Sequence, residues 1–317
     1  MAKLTIPEEE LMEPGHMGCL GCGATMVMRY VLKALGPKTV ISVPACCWAV
    51  MPGVFPYTNM KVPMLYTAFE VTGAAITGLR AGLDVQGQED VNVVGFAGDG
   101  GTVDIGIQAL SGAVERGHNV FYIMYDNEAY MNTGIQRSGS TPKGAWTTTT
   151  PVGTQKDWKK EEKKHIIDIL VAHNIPYAAT ATVAFPEDLV KKLQKARDIK
   201  GPKFFHIYAP CPTGWKASPD LGVELSKLAV ETNVFPLYEV VNGVYKITRR
   251  VKEPKPVKEY LSLQGRFSHV KKYPELVDEI QKEVDKRFKE LLLKEKYTAE
   301  LHGTEGTAEK GTVEKKE

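Results

Sequence analysis

Short apolar runs alternate with amphipathic segments along most of this sequence, and this alternation limits the fold more than any other feature. The runs predicted to be strands are KTVISVPA (38–45), VNVVGFAG (91–98), NVFYIMYD (119–126), YAATATVA (177–184) and KFFHIYAPC (203–211). The segments predicted to be helices are residues 24–35, 67–83, 103–117, 158–174 and 186–199. Strands that alternate with helices are typical of a mostly parallel sheet. We therefore predict an α/β fold with helices on both faces of that sheet.

The pattern changes after about residue 225. LYEVVNGVYKIT places Asn-Gly between two β-like runs, which predicts a hairpin with a type I′ turn. Leu276, Ile280, Val284 and Phe288 recur every four residues, as on one face of a helix. We predict a main domain over 1–225, an extension of hairpin, linker and helix over 226–295, and a disordered or partner-bound tail over 296–317.

Composition excludes some classes of protein. The 317 residues include 40 basic and 38 acidic side chains, a net charge of +2, so no general attraction to nucleic acid or anionic membranes is expected. No apolar run approaches the roughly 18 residues of a membrane helix, and MAKLTIPEEELMEPGH resembles no signal peptide. We expect a cytoplasmic protein whose five cysteines form no disulfides.

A glycine turn, GFAGDGGTVDIG (95–106), follows one predicted strand and precedes a helix, where α/β proteins bind phosphate groups. The dinucleotide pattern G-x-G-x-x-G and the P-loop Gly-Lys-Ser/Thr are both absent from it. Gly98, Asp99, Gly100 and Gly101 therefore form a phosphate-binding candidate with a carboxylate at the turn. That carboxylate would repel a diphosphate unless a divalent cation lay between them, which suggests Mg²⁺.

The next strand ends in YDNEAY, 28 residues after Asp99. Neighbouring parallel strands end at the same edge of a sheet, so the Asn127 amide and the Ala129 carbonyl could bind the same ion. A plain Asp-Gly turn followed by an ordinary Asn loop is the alternative.

The cysteines suggest a second metal centre. CLGCG contains Cys19 and Cys22 in a C-x-x-C pattern, and Cys46, Cys47 and Cys211 follow predicted strands. Scattered free thiols and a Cys₄ zinc site are the alternatives to an iron–sulfur cluster.

Several longer phrases carry a resemblance to a known family. They are CLGCGA, ACCWAV, GDGGTVDIGIQALSGAVERGHN, YDNEAYMNTGIQRSGSTP and APCPTGW. Over about residues 10–265 the chain resembles the β subunit of pyruvate:ferredoxin oxidoreductase and its 2-oxoacid relatives. The resemblance implies a thiamine diphosphate-binding fold, with Mg²⁺ bound by Asp99, Asn127 and the Ala129 carbonyl.

The same resemblance implies roles for further residues. Asn132 and Thr133 would lie near the reacting thiazolium ring, and Cys22 and Gly23 would contact the cofactor. One [4Fe–4S] cluster would be bound by Cys19, Cys22, Cys47 and Cys211, which leaves Cys46 as a spare thiol. Some relatives carry a Glu after the C-x-x-C-G segment that contacts the cofactor, whereas this chain has Ala24.

The implied reaction is the oxidative decarboxylation of pyruvate with coenzyme A and oxidised ferredoxin, giving acetyl-CoA, CO₂ and reduced ferredoxin. Oxalate or a branched-chain 2-oxoacid is an alternative substrate. A thiamine lyase without redox chemistry and a non-enzymatic zinc-binding scaffold are more distant alternatives.

The chain is predicted to need partners. Thiamine enzymes activate the cofactor with a carboxylate, usually Glu, from a second domain, and too little sequence follows residue 225 to form one. Glu70 is an internal candidate, although a role in the cofactor pocket suits it better. We expect subunits of the α, γ and δ types, one supplying the Glu and one the distal clusters that reduce ferredoxin.

Overall fold

The computed structural model describes residues 5–54, 56–153 and 157–303. These residues form one eight-stranded sheet with the strand order β2-β1-β3-β4-β6-β5-β7-β8. The first six strands are parallel, and the last two add antiparallel strands beside β5. The strands are β1 Thr39–Pro44, β2 Met64–Thr67, β3 Asn92–Gly98, β4 Phe121–Asp126, β5 Tyr177–Thr182, β6 Lys203–Tyr208, β7 Leu237–Val241 and β8 Val244–Arg249.

Helices cover both faces of the sheet, which confirms the predicted fold class. Those in the described residues are α1 Gly23–Leu35, α2 Cys47–Val50, α3 Thr72–Val85, α4 Asp99–Val103, α5 Ile107–Glu115, α6 Ile166–Ala172, α7 Pro186–Arg197, α8 Pro212–Trp215, α9 Gly222–Glu231, α10 Val257–Ser262 and α11 Pro274–Leu301. Short 3₁₀ segments span Pro219–Leu221 and Gly265–Lys272.

Alternate residues of one strand enter two different cores. Val94 and Phe96 of β3 pack in the core beneath α1 and α7, whereas Val93 and Ala97 pack in the core beneath α3 and α5. Successive side chains of a strand point to opposite faces, so a strand buried on both faces is apolar throughout. This is why the central strands are continuous apolar runs in the sequence.

In the first half of the chain one strand was not predicted and one predicted helix boundary is wrong. Residues 64–67 form the edge strand β2, and the helix predicted over 67–83 begins only at Thr72. The strand has only four residues and leaves Leu65 and Tyr66 half exposed, so its sequence lacks the buried apolar character of the central strands. Residues 68–71 then form the connection to α3.

The helix predicted over 158–174 is shorter in the structure, beginning at Ile166. The residues before it are irregular, and their backbone pairs with a distant segment: Gly144 N–H donates to the Lys159 carbonyl at 2.7 Å. Lys159 is 1% exposed although most of its neighbours in this segment are exposed.

The C-terminal elements follow the predicted pattern with one extension. Asn242 and Gly243 both have positive φ values, 48° and 83°, as a type I′ turn requires, so the predicted hairpin is confirmed. Helix α11 continues to Leu301, so the first residues of the predicted tail are helical, and 304–317 lie outside the described residues. No helix in the part of the chain that the structure describes is long and apolar enough to cross a membrane.

Lys203, a buried lysine at the amino end of β6, makes the stability of the fold depend on pH. Burial lowers the pKa of Lys203 from 10.5 to about 7. The unfolded chain therefore binds a proton that the folded chain lacks between these two values, and stability rises with pH across that interval. From pH 7 to 10.5, the free energy of unfolding should rise by up to about 4 kcal/mol relative to Lys203→Met. Denaturant titrations at several pH values measure this, with Lys38→Met, exposed in the same surface cleft, as the control.

Candidate active site

Three parallel strands bring the predicted site residues to one edge of the sheet. Strands β1, β3 and β4 are neighbours, and their carboxyl ends lead into Cys46, Asp99 and Asn127 respectively. One narrow cavity is lined by Ala45, Cys46, Cys47, Phe69, Tyr125 and residues 98–101 and 129–133. The glycine turn, the loop after β4 and the second cysteine pair therefore face the same space.

The glycine turn needs its small residues for close packing. A Cβ atom on Gly100 would lie 2.4 Å from the Tyr130 ring, and one on Gly106 would lie 2.0 Å from the Gly101 carbonyl oxygen. Gly98 is packed against the Tyr125 hydroxyl group. Side chains at Gly100 or Gly106 would thus displace the aromatic wall or the turn itself.

Asp99 is a buried carboxylate with an unusual charge environment. It is 1% exposed, and the Ser138 hydroxyl donates a hydrogen bond to its Oδ2 atom. Burial raises the pKa of Asp99 well above its usual value, and the nearby Asp126 carboxylate raises it further. A cation at this position would reverse both effects.

The loop after β4 brings two more oxygen atoms to Asp99. One end of the Asn127 amide faces Asp99 Oδ1 and the Ala129 carbonyl, and with the amide oxygen at that end three acceptors would meet, as they do around a bound cation. If the amide were reversed, its nitrogen would donate to these oxygens at 2.9 and 3.0 Å. Adjacent ligands of octahedral Mg²⁺ are about 2.9 Å apart at the usual bond length. The two distances at the Asn127 amide therefore match those between adjacent Mg²⁺ ligands, and the binding of Mg²⁺ by these three groups stays a prediction.

A buried network of charges, which sequence reasoning missed, surrounds the same loop. Asp126 Oδ2 accepts hydrogen bonds from Ser140 Oγ and His206 Nε2, both at 2.7 Å, and lies 3.3 Å from Lys163 Nζ. Burial alone would raise the pKa of Asp126, but the Lys163 ammonium group and His206 lower it instead. Glu128 forms ion pairs with Lys163 and Arg266.

The sequence indicated only part of this network. Two carboxylates flank Asn127 in YDNEAY, and that arrangement was a signal that something must neutralise them. Lys163 and Arg266 are distant in sequence, and no local pattern marks them as the partners.

Asn132 and Thr133 line the cavity beyond Ala129. Both side chains are exposed, and Thr133 Oγ1 is hydrogen bonded to Gln136 Oε1 at 2.5 Å. Their position next to the metal candidate fits contact with a bound substrate or cofactor, which stays a prediction. Glu70 is also exposed, in the loop between β2 and α3.

The C-x-x-C loop is held against the loop that carries Cys211. Gly23 N–H donates to the Pro210 carbonyl at 3.0 Å, and a Cβ atom at Gly23 would lie 2.9 Å from the Ala209 carbonyl carbon. Gly214 N–H donates to Cys211 Sγ at 3.4 Å. The glycines thus permit the close approach of two chain segments that are far apart in sequence.

The thiols of Cys22, Cys47 and Cys211 lie near enough to influence one another. Burial raises the pKa of Cys47 to about 12, to which Cys46, Cys211 and Cys22 also contribute. Burial likewise raises the pKa of Cys211 to about 11, with Cys22 and Cys19 as further causes. Within the described ranges, no three His, Cys, Asp or Glu side chains are grouped tightly enough for a single metal ion.

Cys46 differs from its neighbour. Its side chain is 5% exposed, whereas Cys47 is partly exposed and its backbone N–H donates to the Tyr125 hydroxyl at 3.2 Å. Tyr125 thus connects the cysteine pair to Gly98 of the glycine turn.

Comparison with known proteins identifies the family of this chain. Residues 48–207 match the family model described as thiamine pyrophosphate enzyme, C-terminal TPP binding domain. Ketoisovalerate oxidoreductase subunit VorB of Pyrococcus horikoshii is 54% identical over 308 residues, which cover 95% of this chain and 97% of that protein. Pyruvate synthase subunit PorB of Methanothermobacter marburgensis is 50% identical over 288 residues, covering 91% and 99%.

The chain belongs to the β subunits of the 2-oxoacid:ferredoxin oxidoreductase family. The predicted resemblance is therefore confirmed. At this level the protein is an oxidoreductase subunit with a thiamine diphosphate-binding domain, and it works in a complex of several subunits.

A solved structure supports the fold assignment. It is the 2-oxoglutarate:ferredoxin oxidoreductase from Magnetococcus marinus, described with 2-oxoglutarate, coenzyme A and succinyl-CoA bound. The TM-score is 0.55 at 20% identity, over 70% of this chain and 80% of that one. In this β subunit, the position where some relatives have Glu is the buried Ala24, whose carbonyl accepts a hydrogen bond from Trp48 Nε1 at 2.9 Å.

Proposed function

We propose that this β subunit carries out the thiamine diphosphate-dependent oxidative decarboxylation of a 2-oxoacid and passes the electrons through a [4Fe–4S] cluster that it binds itself. The observation that carries the proposal is the convergence of Asp99, the Asn127 amide and the Ala129 carbonyl in a cavity that Cys46 and Cys47 also line, with Cys22 and Cys211 near enough to Cys47 to affect its pKa. When bound, thiamine diphosphate supplies a thiazolium carbon that adds to the keto group and takes up the electron pair left by CO₂.

The chain's own residues bind and orient this cofactor. Asp99, Asn127 and the Ala129 carbonyl would hold Mg²⁺, and the turn of Gly98, Gly100 and Gly101 would face the diphosphate. The buried state of Asp99 and Asn127 keeps water away from the ion and strengthens its electrostatic attraction for the diphosphate. Cys22, Gly23, Asn132 and Thr133 would border the reacting end of the cofactor.

Cys19, Cys22, Cys47 and Cys211 would bind the cluster. A one-electron carrier next to the reaction centre lets the two electrons leave singly, toward more distant clusters and ferredoxin in other subunits. Backbone N–H groups directed at the sulfurs, such as that of Gly214, would tune the potential of the cluster.

A corner of exposed apolar side chains supports the need for a partner subunit. Met17, Leu20, Val54 and Tyr57 are 56–83% exposed, and Met17 N–H donates to the Met51 carbonyl, which brings these segments together. The edge strand β2 also leaves apolar side chains exposed, those of Leu65 and Tyr66. We propose that subunits of the α, γ and δ types cover these surfaces, one of them supplying the activating Glu.

We propose two candidate substrates. Pyruvate is the substrate predicted above, but the ketoisovalerate subunits show slightly greater identity to this chain than the pyruvate synthase subunits do. We therefore place a branched-chain 2-oxoacid first and pyruvate second.

An anaerobic absorbance experiment on the purified complex tests the function. The complex should be brown, and its visible absorbance should fall when ketoisovalerate and coenzyme A are added, because electrons enter the cluster. Pyruvate, oxalate and 2-oxoglutarate are tested in parallel.

The control for this experiment is a complex with Asp99→Asn, which should stay brown and not respond. A colourless complex containing zinc would contradict the redox function. Bleaching of equal extent in the Asp99→Asn complex would contradict the role assigned to the metal site.

A further inference from the structure

We propose that Arg266 is a positioning residue for the metal-binding loop of Asn127, Glu128 and Ala129. Arg266 acts through Glu128 and Trp215 to keep the Asn127 and Ala129 oxygens turned toward Asp99. This inference rests on the proposed Mg²⁺ site and adds a requirement from the C-terminal extension. The residue lies in the 3₁₀ segment after α10, 138 positions from Glu128.

The loop needs an external restraint because its backbone is strained. Glu128 lies between the two residues that supply metal ligands, and its φ is +67°, in the left-handed region that residues other than glycine seldom adopt. Its side chain is 1% exposed. A buried carboxylate in such a conformation persists only where surrounding groups compensate its charge and hold its backbone.

Arg266 provides one side of that restraint. It is 2% exposed and forms an ion pair with Glu128 Oε2, while Lys163 binds Oε1. Gln264 Oε1 accepts hydrogen bonds from Arg266 Nε at 2.9 Å and Nη2 at 2.7 Å, which fixes the plane of the guanidinium group.

Trp215 provides the second contact between Arg266 and the metal-binding loop. The Arg266 guanidinium carbon lies 4.0 Å from the centre of the Trp215 ring, a cation–π contact. The indole Nε1–H of Trp215 donates to the Asn127 backbone carbonyl at 2.8 Å. Trp215 ends the short helix that begins after Cys211, so the same contact connects the metal loop to the loop of a proposed cluster ligand.

Arginine suits this position for a physical reason. A planar guanidinium can lie over an indole ring and donate in its own plane at the same time, whereas a lysine ammonium group can form the ion pair alone. Removal of a positive charge should strengthen the binding of a nearby cation on Coulombic grounds. A loss of metal affinity in an Arg266 variant would therefore come from the altered geometry of the metal-binding loop and not from the loss of the guanidinium charge.

Binding of Mn²⁺, followed by electron paramagnetic resonance in the presence of thiamine diphosphate, tests the proposal on the full complex. Arg266→Met should weaken Mn²⁺ binding at least tenfold, and Arg266→Lys should recover only part of that loss. The matched control is Arg80→Met, since Arg80 is also 1% exposed but binds the Gln88 and Val91 carbonyls near the amino end of β3. Mn²⁺ binding should stay within twofold of the unsubstituted complex in that control.

Trp215→Phe keeps an aromatic ring but removes the N–H donor to Asn127, and so provides a test even if Arg266→Met does not fold. It should weaken Mn²⁺ binding about fivefold, the value of one hydrogen bond. Unchanged Mn²⁺ affinity in Arg266→Met or in Trp215→Phe, or an equal loss in Arg80→Met, would overturn the inference alone. Failure of the unsubstituted complex to bind Mn²⁺, or unchanged binding in Asp99→Asn, would overturn the proposed metal site as well.

Discussion

Replacement of Asp99 by Asn should abolish Mg²⁺-dependent binding of thiamine diphosphate and, at the same time, make the cofactor-free chain more stable. The affinity for Mg²⁺ should fall by about 100-fold or more, roughly 2.7 kcal/mol, because the only charged group of the three proposed ligands is lost. Asn127 and the Ala129 carbonyl would remain, but neutral oxygens alone compensate poorly for the lost hydration of the ion.

The gain in stability has a separate cause. In the absence of a cation, Asp99 is buried near the Asp126 carboxylate, and its negative charge is unfavourable there. An amide has nearly the same shape, can still accept the hydrogen bond from Ser138, and carries no charge. The melting temperature of the cofactor-free Asp99→Asn chain should therefore rise by about 2 °C or more.

Calorimetric titration with Mg²⁺ and thiamine diphosphate measures the first effect, and thermal unfolding measures the second. Asp188→Asn is the matched control because it removes a partly buried carboxylate that is paired with Lys192 on α7, away from the site. That control should lower the melting temperature and leave Mg²⁺ affinity unchanged. A fall in the melting temperature of Asp99→Asn would show that the carboxylate stabilises the empty site.

The second large effect concerns two adjacent cysteines. Cys47→Ser should remove the iron and the visible absorbance contributed by one cluster per β subunit, whereas Cys46→Ser should retain both. Cys47 is partly exposed, and its thiol lies near those of Cys22 and Cys211. The Cys46 thiol is buried against Tyr125. Serine is a poor ligand for iron in such clusters, so the variants differ in ligation while they share the same change in size.

Iron analysis and visible spectra of the anaerobic complex measure this difference, and the cysteines in the other subunits are left intact. Cys211→Ser should behave like Cys47→Ser, since the two thiols are proposed ligands of the same cluster. Loss of the cluster in Cys46→Ser, with retention in Cys47→Ser, would reverse the assignment of the two. Full iron content in all three variants would contradict a cluster at these cysteines.

The sequence predicted the parts of the site that depend on one strand and the loop that follows it. Asp99 and Asn127 each follow a continuous apolar run, and parallel strands bring such positions together without further information. Glycines at the turn were a second local signal, since Gly100 and Gly106 are packed too closely for a side chain. The edge strand β2 escaped prediction because a short, half-exposed strand lacks an apolar run.

What the sequence alone determined is therefore the α/β class, the edge of the sheet where the candidate site lies, and the oxygen and thiol groups present there. Only the tertiary structure decided how that edge is held in place. Arg266 and Lys163 reach Glu128 from distant segments, and residues 158–165 are not helical but form backbone hydrogen bonds with residues 139–145. Local patterns record the periodicity of burial along a segment, whereas a buried ion pair depends on where two segments meet in the folded chain.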